Sequence, residues 1–221
     1  MSNRLIVDAR WKGNFGIGRY SRELLSRINS SEAKYIEGRI PTKKTEILRS
    51  TMLLRGDIFY SPGFLPILQA RTQVLTLHDL IHLEDSQINF KNMTRNLYYD
   101  YLRRKIQKKE ILINTVSEHS KKAIIKWADI SSDSLQIIAN GLSSCFLPSN
   151  SKNDNRVNRS IGFVGNTKSH KNFPYFMKVA SLLAPDWEVH IVGIGLEKYW
   201  RHPKRNVFFH ENLVDLELSN I

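Results

Sequence analysis

Short apolar runs alternate with segments of helical period along most of this chain, and that alternation constrains the fold more than any other feature. LIVDA (5–9) is short and apolar enough for a buried strand, and the following stretch places Ile17, Leu24, Leu25 and Ile28 on one helical side. DIFYS (57–61) and VLTLHDL (74–80) read as two more strands, with SPGFLP as a loop between them. Asn92 to Glu110 is a basic, tyrosine-bearing helix. ILINTVS (111–117) is an apolar strand, EHSKKAIIKWA (118–128) a helix, and LQIIANGL (135–142) a strand again. Strands and helices that alternate in this way build a parallel sheet covered by helices, so the expected fold is α/β.

With 221 residues, 41% of them hydrophobic, the chain can bury one sizeable core or two small ones. SNSKNDNRVNRS (149–160) is nearly all polar and without periodicity, which marks a linker over 149–159 after a first domain at 1–148. A second domain starts at residue 160. SIGFVGN (160–166) is its first strand and turn, 173–183 a helix, and EVHIVG (188–193) and NVFFH (206–210) are further strands. One cysteine, Cys145, rules out an internal disulfide framework and fits a reducing compartment. The start, MSNRLIVDAR, is too charged and short for a signal peptide, so a cytoplasmic protein is expected. The net charge of +12 favours anionic partners.

The sharpest local motif is GNFGIG (13–18), between the first strand and the first helix. A dinucleotide fingerprint needs G-x-G-x-x-G with an acidic residue about 20 positions on, whereas the order here is G-x-x-G-x-G and no clear strand delivers that acid. A P-loop needs G-x-x-x-x-G-K-[ST]. Gly13 and Gly18 keep that glycine spacing, but Arg19 stands in place of the lysine and Tyr20 in place of the magnesium-binding hydroxyl. The physics of the turn survives both rejections. Glycines let backbone N–H groups approach a ligand, and the next helix turns its positive end towards it, which suits a phosphate. A tight strand-to-helix turn without a ligand accounts for the same glycines. His78 and Asp79 sit at the carboxyl end of an expected parallel strand, where α/β sheets place ligand sites. His78 and His82, with Glu84 and Asp85, offer the i, i+4 pair that chelates zinc on a helix. They follow a strand, however, so helical spacing is not assured and no metal is expected.

DARWKGNFGIGRYSRELL, VLTLHDLIHL, TVSEHSKKAI, IIANGL and FVGNTKSHKN, in that order over almost the whole chain, resemble the retaining nucleotide-sugar glycosyltransferases of family 4. Closest in character are the mannosyl- and rhamnosyltransferase-like members of bacterial polysaccharide pathways. The resemblance implies a GT-B architecture: a Rossmann-like, acceptor-side N-terminal domain and a second Rossmann-like domain. It implies a nucleotide-diphospho-sugar donor bound in the cleft between domains, a saccharide or lipid-linked acceptor in polysaccharide or cell-envelope glycan synthesis, and no cofactor.

By the same resemblance Gly16 and Gly18 lie against the donor diphosphate and sugar, and His78 and Asp79 take the catalytic position. Lys171, six residues after Gly165, lies on the diphosphate. The family's arginine directly after the glycine is here Asn166, with Lys168 as its substitute. Asn140 and Gly141 resemble the step that closes the first domain, which a plain turn explains equally well. Similar enzymes continue, past the second domain's phosphate turn, through two glutamates eight apart, and no such pair follows Lys171 here. The expectation is therefore a partial second domain in a chain inactive by itself. The alternative is a non-catalytic binding or assembly role, with a partner chain over the second domain.

In the basic helix Arg95, Arg103, Arg104, Lys105, Lys108 and Lys109 surround Leu97, Tyr98, Tyr101, Leu102 and Ile106, which suggests one apolar and one positive side. A solvated face and contact with an anionic membrane surface, peripheral at the inner face of the cell membrane, both remain open. Nucleic acid is set aside, because no binding module or base-stacking platform accompanies the charge.

Overall fold

The computed structural model describes residues 4–13, 16–29, 31–39, 56–67, 70–84, 90–146, 159–183, 185–201, 206–219 and 221. The chain divides into two compact units, Met1–Gly141 and Leu142–Ile221. All of the expected linker at 149–159 except Arg159 lies outside the described residues.

The first unit holds a six-stranded parallel sheet in the order β2-β1-β3-β4-β5-β6. Its strands are β1 (Leu5–Asp8), β2 (Ala33–Ile36), β3 (Gly56–Ser61), β4 (Ala70–Thr76), β5 (Leu112–Thr115) and β6 (Leu135–Ile137). Leu5 lies opposite Ala33 on one side and Ile58 on the other, so the strand order reverses at β1. The helices are α1 (Gly16–Leu25), α2 (Ile81–Glu84), α3 (Phe90–Gln107) and α4 (Glu118–Ala128). Parallel strands need cover, and α3 and α4 supply it: Leu102, Ile106, Ile124 and Ala128 pack with Phe59, Leu75, Ile113 and Leu135 in one core.

Local chemistry sets the element ends. The Ser117 hydroxyl accepts the Ser120 N–H (3.1 Å) to start α4, and Asp129 closes it in the left-handed region at φ 53°. α1 stops at Leu25 rather than Ile28, where the Ser26 hydroxyl donates to the Glu23 carbonyl (2.9 Å) in competition with the backbone. Its buried positions are the small Gly18 and Ser21, not the expected Ile17, Leu24 and Leu25. The strand expected at 74–80 starts at Ala70 and ends at Thr76. Leu77 donates its N–H to the Asn114 carbonyl (2.9 Å) and accepts the Thr115 hydroxyl (2.6 Å), after which the chain turns out of the sheet ahead of His78.

The second unit has a three-stranded parallel sheet, β7 (Ser160–Val164), β8 (Glu188–Val192) and β9 (Val207–His210), in that order. α5 (Phe173–Ser181) packs on it through Phe173 and Ala180, against Phe163, Val189 and Ile191. A short α6 spans Asp215–Ser219.

Candidate functional site

In open α/β sheets, ligands gather beyond the carboxyl ends of the strands where the strand order reverses. In the first unit that place is the gap between β1 and β3. The chain leaves β1 through a 3₁₀ turn, Ala9–Trp11, held by a buried ion pair. The Arg10 guanidinium donates to both Asp8 carboxylate oxygens, each at 2.7 Å. Trp11 packs over the exit of β3, where a Cβ on Gly63 would collide with its indole ring. The two strand exits are thereby locked together.

The glycine turn follows. A Cβ on Gly18 would lie 2.6 Å from the Gly13 carbonyl carbon, and the Arg22 guanidinium ties down the Gly13 carbonyl oxygen at 2.5 Å. Internal packing alone therefore demands Gly18. Gly16 is different: it is exposed, opens α1, and a Cβ there meets nothing within 4 Å. The open space and the positive end of α1 coincide at Gly16.

His78 follows β4 and is held from three elements. Its Nε2 lies 2.9 Å from the Pro62 carbonyl, in the loop after β3. A carbonyl only accepts, so Nε2 carries the proton and Nδ1 the lone pair in the neutral ring. The Tyr20 ring of α1 meets the imidazole at 87°, with centroids 4.8 Å apart. Ser120 of α4 donates its hydroxyl to the His78 carbonyl (2.7 Å). Burial lowers the His78 pKa, against the raising influence of the Pro62 hydrogen bond and of Asp79, so the ring is neutral at pH 7. Asp79 is exposed, and its carboxylate accepts the Ile81 N–H (3.2 Å) that opens α2.

Beneath His78 runs a hydroxyl chain. Tyr20 is 3.2 Å from the Tyr60 hydroxyl, which is 3.0 Å from that of Thr76. Burial raises the Tyr60 pKa, so the chain is uncharged at pH 7. The buried Asn114 keeps its Oδ1 without a hydrogen bond among the described residues. Tyr20, Tyr60, Pro62 and Ser120 escape a reading of the sequence. The available signal is position, since Tyr60 and Pro62 flank a strand end just as His78 does.

In the second unit the expected phosphate residues share one turn after β7. The Asn166 side chain accepts the Lys168 N–H (3.1 Å), and a Cβ on Gly165 would lie 3.6 Å from the stem of Lys171. Asn166, Lys168 and Lys171 are all exposed. Asn172, left-handed at φ 49°, leads into α5, with proline at its start. The residues after Ile137 leave β6 as irregular chain, where Asn140 and Gly141 are exposed. The side chains of His82, Glu84 and Asp85 lie outside the described residues, and among those described no three metal-ligating side chains cluster.

The basic helix departs from the two-sided expectation. Leu102 and Ile106 enter the core with Tyr99, whereas Leu97 and Tyr101 are exposed. The helical turn of about 3.6 residues separates these two apolar sets onto opposite sides. Arg103 lies 4.0 Å from Asp100, and Lys105 pairs with Glu110. Arg104, Lys108 and Lys109 are exposed. No helix among the described residues is long and apolar enough to cross a membrane.

The parallel sheets and the loops at their carboxyl ends define an α/β protein of GT-B-like fold. Two solved structures share it: Anabaena Alr3699/HepE in complex with UDP-glucose, and the same protein in complex with UDP and glucose. Each has a TM-score of 0.63 and 12% sequence identity, covering 99% of this chain and 71% of that chain. No protein-family model and no curated protein matches the sequence. At this identity the likeness is one of fold.

Proposed function

We infer that the protein is a retaining glycosyltransferase resembling family 4, with a nucleotide-diphospho-sugar as donor and a saccharide or lipid-linked hydroxyl as acceptor. The observation that carries this reading is a neutral histidine, fixed in one tautomer by the Pro62 carbonyl and set edge-on against Tyr20 of the helix that the open Gly16 starts. The likeness to HepE, which carries UDP-glucose in its solved complex, supports it.

In this reading the backbone at Gly16 and the positive end of α1 take the diphosphate charge. His78 accepts a sugar hydroxyl at Nδ1, and Asp79 borders the same edge. The bond from the sugar to the phosphate oxygen breaks, the acceptor hydroxyl forms the new glycosidic bond, and its proton passes to the leaving diphosphate oxygen. Lys171 and Lys168, with Asn166 shaping their turn, stabilise the leaving diphosphate. Residues 1–148 form the acceptor-side domain and 160–221 belong to the donor-side domain, in a cytoplasmic protein of glycan synthesis.

A nucleoside diphosphate titrated into the protein, with the Gly16 amide and the His78 imidazole followed by NMR, tests the reading. Saturable shifts at Gly16 are expected, and His78 shifts further when the sugar is attached. A folded protein in which neither signal moves with any nucleoside diphosphate favours the non-catalytic alternative.

A further inference from the structure

We propose that His190 and His210 form a two-histidine site for a divalent transition metal such as zinc, which clips β8 to β9 on the side of the second unit's sheet away from α5. This goes beyond sugar transfer and does not depend on it.

Side chains alternate between the two sides of a strand. Val189, Ile191 and Phe209 pack towards α5, so Glu188, His190 and His210 stand on the other side. There His190 Nδ1 lies 3.1 Å from His210 Nε2, with the rings within 15° of parallel and their centroids 5.4 Å apart. Two imidazole nitrogens at about 2.0–2.1 Å from one tetrahedral zinc stand roughly 3.3 Å from each other, so a small turn of the rings closes the pair on an ion. Phe208 stacks on His190 at 20°, with centroids 5.1 Å apart, and steadies the ring. Gly162 lies opposite His190 on β7 and brings no side chain against it. On the same side Phe208 is 43% and Val164 60% exposed, which leaves the site open to solvent.

Glu188 is the observation that points to a metal. Its carboxylate accepts the Nε2 proton of His190 at 3.4 Å, which leaves the Nδ1 lone pair directed at His210. A carboxylate behind an imidazole in this way fixes the tautomer and raises the basicity of metal-ligating histidines. Without an ion, the 3.1 Å contact is one N–H···N bond donated by His210. With an ion, the His210 proton leaves Nε2 and one is taken up at Nδ1, so the ring stays neutral and both lone pairs reach the metal, with water completing its shell. The two ligands are nitrogens, which suit zinc, nickel or copper, whereas magnesium and calcium take oxygen. β9 pairs only with β8 among the described strands, so the clip secures the edge of the sheet.

The test is calorimetric titration of Zn²⁺ into the full chain without an affinity tag, with Mg²⁺ as comparison. One equivalent of Zn²⁺ should bind saturably and Mg²⁺ should not. That equivalent is lost in His190→Gln and in His210→Gln, and Glu188→Ala, which keeps both ligands, lowers its affinity about tenfold or more. In the wild type, Zn²⁺ should also raise the Tm and slow hydrogen exchange in β9, a readout that needs no variant to fold. A wild type that takes up no Zn²⁺, one whose β9 exchange is unaffected by it, or histidine variants that bind as the wild type does would overturn the proposal. Unchanged affinity in Glu188→Ala would overturn it as well.

Discussion

The rings of Tyr20 and His78 meet at 87° with centroids 4.8 Å apart, joining the helix after β1 to the loop after β4. Neither residue reaches the other through neighbours in sequence, so the contact reports directly on whether the glycine turn is seated on the sheet. Because burial outweighs the raising influence of the Pro62 hydrogen bond and of Asp79, the folded His78 should titrate below the ordinary 6.5. The unfolded chain then takes up the proton first. Stability contributed by the neutral ring is intact above pH 6.5 and is lost as pH falls from there towards the folded pKa. Imidazole NMR should show the Nε2–H tautomer, and Tyr20→Ala should move the midpoint upward by admitting water. A midpoint above 6.5 in the wild type contradicts this environment.

Gly16 and Gly18 separate packing from binding. A methyl group on Gly18 collides with the Gly13 backbone, so Gly18→Ala should cost about 1–3 kcal/mol in urea unfolding. Gly16 has free space, and Gly16→Ala should be neutral or gain up to about 1 kcal/mol from helix propensity. Equal losses in the two variants would show that the turn is packed differently.

The buried pair of Asp8 and Arg10 closes the exit of β1. Removing one partner leaves the other charge buried and alone, so Asp8→Ala should cost about 3–5 kcal/mol. A loss under about 1 kcal/mol in chemical denaturation would mean that Arg10 reaches water, against its 5% exposure.

In the second unit His190 Nδ1 lies 3.1 Å from His210 Nε2, a distance that admits one proton between the rings. Burial and then His190 lower the His210 pKa. Acid should therefore weaken this sheet: its neutral-state stability is present above pH 6.5 and fades below it. Exchange protection at Val189 and Ile191, corrected for the intrinsic pH dependence of amide exchange, should fall between pH 7 and pH 5 in the wild type and less so in His210→Gln.

Much of this was legible in the sequence where local and global signals agree. The helix expected at 118–128 is found at Glu118–Ala128, because its serine cap and its apolar period coincide. β2 was missed, since AKYI is four residues inside a polar stretch and shows strand character only beside β1. The start of β4 was missed because ARTQ looks like a loop. Gln73 is nevertheless buried, its side chain accepting the Ile67 N–H (2.8 Å). His78 was visible as a strand-end residue. Its partners Tyr20 and Pro62 were not, because tertiary contacts between loops leave no periodic trace. The same limit applies to α3, whose charge was plain but whose exposed Leu97 and buried Leu102 both read as apolar.

The most direct test of the central claim is calorimetric titration of nucleotide-diphospho-sugars with different bases and sugars into the wild type, Gly16→Val and Lys171→Ala. Exposed Lys171 and open Gly16 leave folding intact on substitution, so a change in affinity reports on the site. The account predicts saturable binding of at least one such donor, weakened about tenfold or more in each variant: Lys171→Ala removes a charge-assisted hydrogen bond of about 1.5–3 kcal/mol, and the valine side chain fills the space through which the Gly16 backbone meets the phosphate. A folded wild type that binds none of them, or two variants that bind as the wild type does, would contradict it.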